Sequence, residues 1–432
     1  MLAVLRIALR NLLLHRERGL LLFCVISGAS ALLVGVMALK TGVAATQREV
    51  VTTFLSGDLN IGGYFKVHPD SIAPVIGDAP RVRAVAEPLL PAECRLRERG
   101  RGQATAGAGR YRAGSYMMGL DVTREQDSLH HFKLKEGTLQ SLEKPRTVAL
   151  STQLAERLRV KQGDITTLFM QTAGGKRNAL DVEVVALTER AGLLGESAGI
   201  LVSNATLREL GGYQPRAAGV FQLTCGETTD VDALAGRLRE ALRQAGFEVL
   251  PASHEAYGDK LTPLLREGWA GQRLDVSTWE DESSFLSFIN DGLSALTFLV
   301  GMLVFGLVVV GLFVSLNVAV RERTREIGTL RAMGMQRPAV VGMFVLEGLL
   351  LGLVASSLGG ALAAAGCTFL QGSVTLPEAL AGFLFSGTLP LEPHLSQVVS
   401  AVVLVTVAAG LASILPAARA ASLPPRSAME SL

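Results

Sequence analysis

The chain has 432 residues, 49% of them hydrophobic and 19% charged, with a formal net charge of +2 and a positive mean hydropathy. Its apolar residues come in long blocks rather than at a regular period, which excludes a single water-soluble core and points to a membrane protein. The four cysteines (24, 94, 225 and 367) form no CxxC pair and no Cys/His cluster of zinc spacing, which argues against a metal site.

Residues 1–18 place Leu2, Leu5, Leu9, Leu12 and Leu13 at helical spacing among Arg6, Arg10, Arg16 and Arg18. That pattern predicts a cytoplasmic helix lying on the inner membrane surface, and it also fits an ordinary charged flank. The first apolar block, 19–40, is long enough to span a bilayer. Small residues after it (Val43, Ala44, Ala45) raise the alternative of a cleaved signal peptide, but the block is longer than a signal core and about eighteen residues precede it, so it reads as an uncleaved anchor.

A charged, turn-rich region follows over 41–290 and reads as mixed α/β. Residues 181–187 (DVEVVAL) and 199–202 alternate like strands, and 231–245 carries Val231, Leu234, Leu238 and Leu242 on one helical face. The basic, glycine-rich stretch 95–109 (RLRERGRGQATAGAG) predicts a solvated hairpin or mobile loop. Cys94 and Cys225 both lie in this region, where one disulfide is an open option. His130 and His131 are adjacent, point in different directions on any regular element, and read as surface residues.

Three further blocks, 291–320, 338–371 and 395–418, are long enough to cross the membrane, with 372–394 as a short loop between the last two and 419–432 as a tail. Glu347 is the one charge in the third span. It lies about ten residues into the helix that begins near Pro338, close enough to the interface to be solvated. Residues 1–18, 321–338 and 419–432 carry eleven Arg, no Lys and four Glu, a net of +7, whereas the rest of the chain outside the spans carries 30 basic and 34 acidic residues. The positive-inside rule therefore puts both termini and the 321–337 loop in the cytoplasm and the long region outside. On the outer side of a membrane the basic run 95–109 does not read as a nucleic-acid site, and no nucleic-acid partner is expected.

No catalytic signature is found. Gly174, Gly175, Lys176 and Arg177 lack the spacing and the hydroxyl of a phosphate loop, and there is no HExxH or GxSxG. The chain is expected to be non-catalytic and to hold no cofactor. The loop 321–337 (RERTREIGTLRAMGMQR) is different, since 321–333 is a good helix by propensity, with Ile327, Leu330 and Met333 forming an apolar edge among charges. Gly334 is placed to stop it, and Pro338 to start the next helix. A loop that only set topology would need Arg and Lys, not Ile, Leu and Met.

The motif REIGTLRAMG (325–334), followed by Pro338 and LEGLLLG (346–352), closely resembles the signature of FtsX-like ABC transporter permeases, the MacB and LolC/LolE group. The C-terminal stretch from Pro416 to Glu430 is similar to that family's PAxRAAxxxPxxAL pattern, with a departure at Leu423, Pro424 and Pro425. Residues 5–14, the GxD of Gly119, Leu120 and Asp121, the stretch 148–168 and the STWE of 277–280 resemble further family motifs, so the likeness covers nearly the whole chain. Trp279 reads as an anchor near the outer interface or as packing rather than as a substrate contact.

The resemblance implies an integral membrane protein of the type VII ABC exporter kind, with four transmembrane α-helices and a large α/β periplasmic domain of two subdomains inserted between the first and second. It implies a bacterial inner-membrane permease subunit that works by mechanotransmission, with ATP and magnesium on a partner ATPase dimer in the cytoplasm. A second permease copy or paralogue, a periplasmic chaperone or membrane-fusion protein, and the bilayer complete the implied partners. Lipoprotein release is the leading role, with drug or peptide efflux or control of cell-wall hydrolases as alternatives. The segment 321–337 would be the coupling helix, with Arg325, Glu326, Ile327, Leu330, Arg331, Met333 and Gly334 as its ATPase contacts.

Overall fold

The computed structural model describes residues 16–68, 71–125, 129, 132–189, 199–226, 228–377, 380–381, 384 and 386–422. The surface helix expected over 1–18 lies almost wholly outside them, as do His130, His131 and most of the tail. The chain divides into two compact units. One is built from residues 1–45, 288–376 and 387–432, the other from 46–287 and 377–386.

In chain order the elements are α1 (Arg16–Val50), continued by a π-helical turn (Val51–Leu55), then β1 (Leu59–His68), β2 (Ser71–Ala73), α2 (Ala79–Ala86), β3 (Arg95–Ala108) and β4 (Tyr111–Leu120). There follow β5 (Leu134–Gly137), β6 (Thr147–Ser151), α3 (Thr152–Leu158), β7 (Ile165–Gln171), β8 (Arg177–Thr188), β9 (Ile200–Ser203), α4 (Asn204–Gly211) and β10 (Val220–Thr224). The chain continues through α5 (Val231–Gln244), β11 (Glu248–Val249), α6 (Tyr257–Arg266), β12 (Gly271–Thr278) and α7 (Trp279–Glu282). It closes with α8 (Ser287–Glu322), α9 (Thr324–Ala332), α10 (Arg337–Leu370) and α11 (Leu395–Ser422).

Four of these helices, starting at Gly19, Ser284, Arg337 and Leu395, are long and apolar enough to cross a membrane. α1 runs past residue 40 because nothing in 41–50 breaks a helix. Within its unit, Leu22, Ile26, Leu33 and Val34 of α1 share one buried cluster with Val304, Val308 and Leu312 of α8, Phe344 and Ala355 of α10, and Ala401, Val405 and Ala408 of α11. Small residues let the helix backbones approach closely. A Cβ added at Gly359 of α10 would collide with the Ser27 carbonyl oxygen of α1, and Ser30 Oγ donates to the Ser356 carbonyl at 3.1 Å. The opposite faces, with Phe298, Met302, Leu362 and Val403, are exposed and apolar, as a lipid-facing surface requires.

Among the described residues the second unit holds twelve strands, connected as one sheet by β3. Arg95 to Arg99 of β3 pair with β10, which leads through β1 to β12 and β11. α2 and α5 cover that part, burying Val82, Leu234, Leu238 and Leu242 against Leu59, Ile61 and Phe221. From Gly100 onward β3 pairs instead with β4 and β7. The pairings β4 with β9, β9 with β6, β6 with β8 and β8 with β7 then close a six-stranded ring. Closure leaves the ring no free edge. Its interior holds Ala106, Met117, Val148, Leu150, Leu168 and Val184. β3 thus reaches both clusters. The strands expected at 181–187 and 199–202 and the helix at 231–245 lie in β8, β9 and α5, the helix capped by the Asp230 carboxylate on the Ala233 N–H at 3.0 Å.

The stretch 95–109 forms the first arm of a hairpin with β4, one of the two expected forms, but it is neither solvated nor a loop, and in that the expectation is corrected. It is β3, the longest strand, because its charges find partners inside the unit. Arg99 donates through Nε and Nη2 to Glu125 Oε2 at 2.9 and 2.7 Å, and Arg101 lies 3.6 Å from Glu282. Its glycines admit close neighbours: at Gly100 a Cβ would meet the Leu207 side chain at 2.6 Å and the Gly119 backbone at 3.0 Å.

Cys94 and Cys225 are joined in a disulfide that bridges the start of β3 to the end of β10 and closes a loop of 131 residues. Constraint of the unfolded chain by a loop of that length stabilises by about 4–5 kcal/mol in the chain-entropy view. Cys94→Ser with Cys225→Ser should therefore lower the unfolding midpoint of this unit by roughly 10 °C, read by tryptophan fluorescence, and dithiothreitol should do the same to the parent. An unchanged midpoint in both would show that the bridge does not form.

Candidate functional site

α9 is nine residues long and sits between two of the long apolar helices. Its backbone continues from α8 with a bend at Arg323: Ile327 N donates to the Arg323 carbonyl at 3.0 Å, and Thr324 Oγ1 donates to the Val320 carbonyl at 2.9 Å. The helix stops after Met333, and Gly334 adopts φ +101°, a conformation that favours glycine. Gln336 caps α10 and Pro338 stands in its first turn, so both expected boundary residues take their expected places.

The side chains divide into an anchored and an exposed set. Ile327 is 2% exposed and belongs to the buried cluster of the long helices. Arg323 Nη1 lies 3.8 Å from Glu347 Oε2, with the two side chains 10% and 16% exposed. Glu347 is thus mostly withdrawn from solvent with an arginine of the cytoplasmic-loop sequence beside it, a correction of the sequence expectation that fits the cost of leaving a carboxylate among apolar helices. Arg331 Nη1 donates to the Ala421 carbonyl in the last turn of α11 at 3.0 Å, where a cation meets the negative end of a helix.

Arg325, Glu326, Thr329 and Met333 are exposed, Met333 to 76%. Glu326, Thr329 and Met333 follow one another at three- and four-residue spacing and therefore form one stripe. The sequence placed Ile327 and Met333 on one edge, and the structure sends Ile327 inward and Met333 outward. Leu330 sits on α9, and its side chain lies outside the described residues. The arrangement offers a partner a carboxylate, a hydroxyl and a flexible thioether, the last an adaptable apolar contact. Sequence reasoning missed Arg323 as the partner of Glu347; the signal was a carboxylate in an apolar span, which demands a cation nearby. Among the described residues, no group of three His, Cys, Asp or Glu is placed to hold a metal ion.

Comparison with known proteins gives a family match for the C-terminal part of the chain. Residues 298–425, which contain most of α8 and all of α9, α10 and α11, match the FtsX-like permease C-terminal family. No curated protein matches the chain. Among solved structures it is similar to the extracellular domain of the noncanonic ABC-type transporter YknZ from Gram-positive bacteria, at 14% identity and a TM-score of 0.28, covering 50% of this chain and 98% of that one. It is also similar to the periplasmic region of MacB from Actinobacillus actinomycetemcomitans, at 10% identity and a TM-score of 0.31, covering 55% of this chain and 95% of that one. Overlaps that loose carry no argument about the second unit. The match over α8 to α11 identifies the C-terminal part of this chain as an FtsX-like permease domain.

Proposed function

We propose that the chain is the membrane subunit of an ABC transporter and that α9 receives the motion of a separate cytoplasmic ATPase dimer. The observation that carries this reading is the exposed stripe of Glu326, Thr329 and Met333 on a helix fastened to the membrane helices by Ile327 and by Arg331. A helix held on one side and open on the other transmits force without changing shape. Arg325 and Gly334 complete the proposed contact region, Gly334 by setting where the helix ends. The charge asymmetry supports an inner-membrane protein with both termini in the cytoplasm, and the disulfide supports an oxidising compartment for the second unit. The protein would act with a second permease copy or paralogue, and with a periplasmic chaperone or membrane-fusion protein.

Its work in this reading is mechanotransmission that releases lipoproteins from the inner membrane. Residues 277–280, with their Lol-like pattern, support that cargo over efflux or hydrolase control. Glu326→Arg combined with Met333→Asp should abolish co-purification with the co-expressed cognate ATPase, a weakening of at least about 100-fold, because each change puts an unpaired charge in the contact. Retained binding would remove α9 from the interface. Stimulation of ATP hydrolysis by a lipoprotein, and not by a drug or a cell-wall hydrolase, would distinguish the cargo.

A further inference from the structure

The second unit contains a cleft of about 720 Å³, within the roughly 300–1,000 Å³ of ligand pockets. β3, β4, the end of β7 and α6 form its walls, and the apolar lining includes Met170, Leu261, Leu265 and Phe285. One buried cation, Arg101, faces this lining from β3. Its guanidinium packs 5.1 Å from the centre of the Tyr257 ring. Its partners are distant, with Nη2 donating to Asn60 Oδ1 at 3.4 Å and Nη1 lying 3.6 Å from Glu282 Oε2. Nε and the neighbouring Asn60 amide nitrogen have no hydrogen-bond partner among the described residues. Buried donors left this way are exceptions in native structures and call for a reason. Tyr116 also lines the cleft, and burial pushes its hydroxyl up to about 12, so it stays protonated at neutral pH and able to donate.

We propose that this cleft takes the acyl chain of a membrane-derived amphiphile and presents the donors of Arg101 and Tyr116 to the ester or amide carbonyl at its head. Charge selects the neutral carbonyl over a free acid, because Glu282 already balances Arg101 and Asp259 adds a carboxylate to the lining. Chain connectivity selects a lipid source. Leu55 ends the helical run that begins in the first long apolar helix, Phe285 precedes α8 by two residues, and both line the cleft. Leu265 and Phe285 are exposed apolar residues of the lining, as an acyl chain entering from outside the unit would need. The assignment deepens the lipoprotein reading, whose cargo would carry such a chain, but needs no ATPase contact at α9.

The test uses the full chain in nanodiscs of phosphatidylethanolamine and phosphatidylglycerol, with a diazirine-tagged monoacylglycerol as probe and adducts mapped by mass spectrometry. Adducts should fall in the peptides carrying Leu261, Leu265 and Phe285. Leu265→Glu and, separately, Phe285→Gln should each reduce them by about tenfold, a loss of about 1.4 kcal/mol in binding. Both positions are exposed, so the tryptophan-fluorescence midpoint should remain that of the parent. Arg101→Met should lower labelling by the neutral ester more than by a diazirine-tagged alkane. Adducts confined to the four long helices would overturn the proposal, as would labelling indifferent to both rim variants, or stronger labelling by a tagged free fatty acid or a tagged extended peptide. Any of these would leave lipoprotein-stimulated ATP hydrolysis unaffected, so the cleft and the transport reading fail separately.

Discussion

Glu125→Leu should cost the second unit about 3–5 kcal/mol of stability, and adding Arg99→Met should restore most of it. The two side chains are 2% and 1% exposed and 2.7 Å apart. Glu125 receives both Nε and Nη2 of the guanidinium, while Nη1 turns to the Thr53 carbonyl and Met118 Sδ at 3.4 and 3.3 Å. Deleting the carboxylate alone leaves a guanidinium in a dry interior without the group that justified its burial. Replacing both with apolar side chains of similar volume removes the desolvation cost along with the attraction, which is why such double changes are often neutral. Both tryptophans of the chain, Trp269 and Trp279, belong to the second unit, so urea titration followed by tryptophan fluorescence reports on it alone. A single-variant midpoint equal to the parent's, or a double variant worse than the single, would show that the pair does not act as a closed unit.

The same pair explains why part of the fold could not be read from sequence. The four long helices were legible because an apolar run is a local property, and α5 was legible because Val231, Leu234, Leu238 and Leu242 repeat at helical spacing. β3 was illegible because what makes RLRERGRGQ a strand is not in it: Glu125 and Glu282 come from elsewhere in the chain, and composition alone describes a solvated segment. Ring closure through β7 is equally non-local, since no pattern within a strand names its neighbour. At α9 the helix, its glycine stop and the following proline were readable. The inward turn of Ile327 was not, because an amphipathic edge announces that one face will be covered without saying whether this chain or another covers it.

Glu347→Ala should separate attachment from transmission. The carboxylate lies on α10, 3.8 Å from Arg323 at the bend between α8 and α9, and none of the exposed stripe of α9 depends on it for a contact. ATPase co-purification should therefore remain within about twofold of the parent, while Arg323 loses the carboxylate that lies beside it among apolar helices. The change falls on the seat of α9 against α10, the joint across which motion received at Glu326 and Met333 would have to pass. Cargo-stimulated ATP hydrolysis should drop to near the basal rate with basal hydrolysis unchanged. The charge-swapped pair Arg323→Glu with Glu347→Arg should recover a substantial part of the stimulation, which a role of Glu347 in touching the ATPase would not allow. Full stimulation in Glu347→Ala would show that the remaining ties, Ile327 in the apolar cluster and Arg331 on the Ala421 carbonyl, are enough to carry the motion on their own.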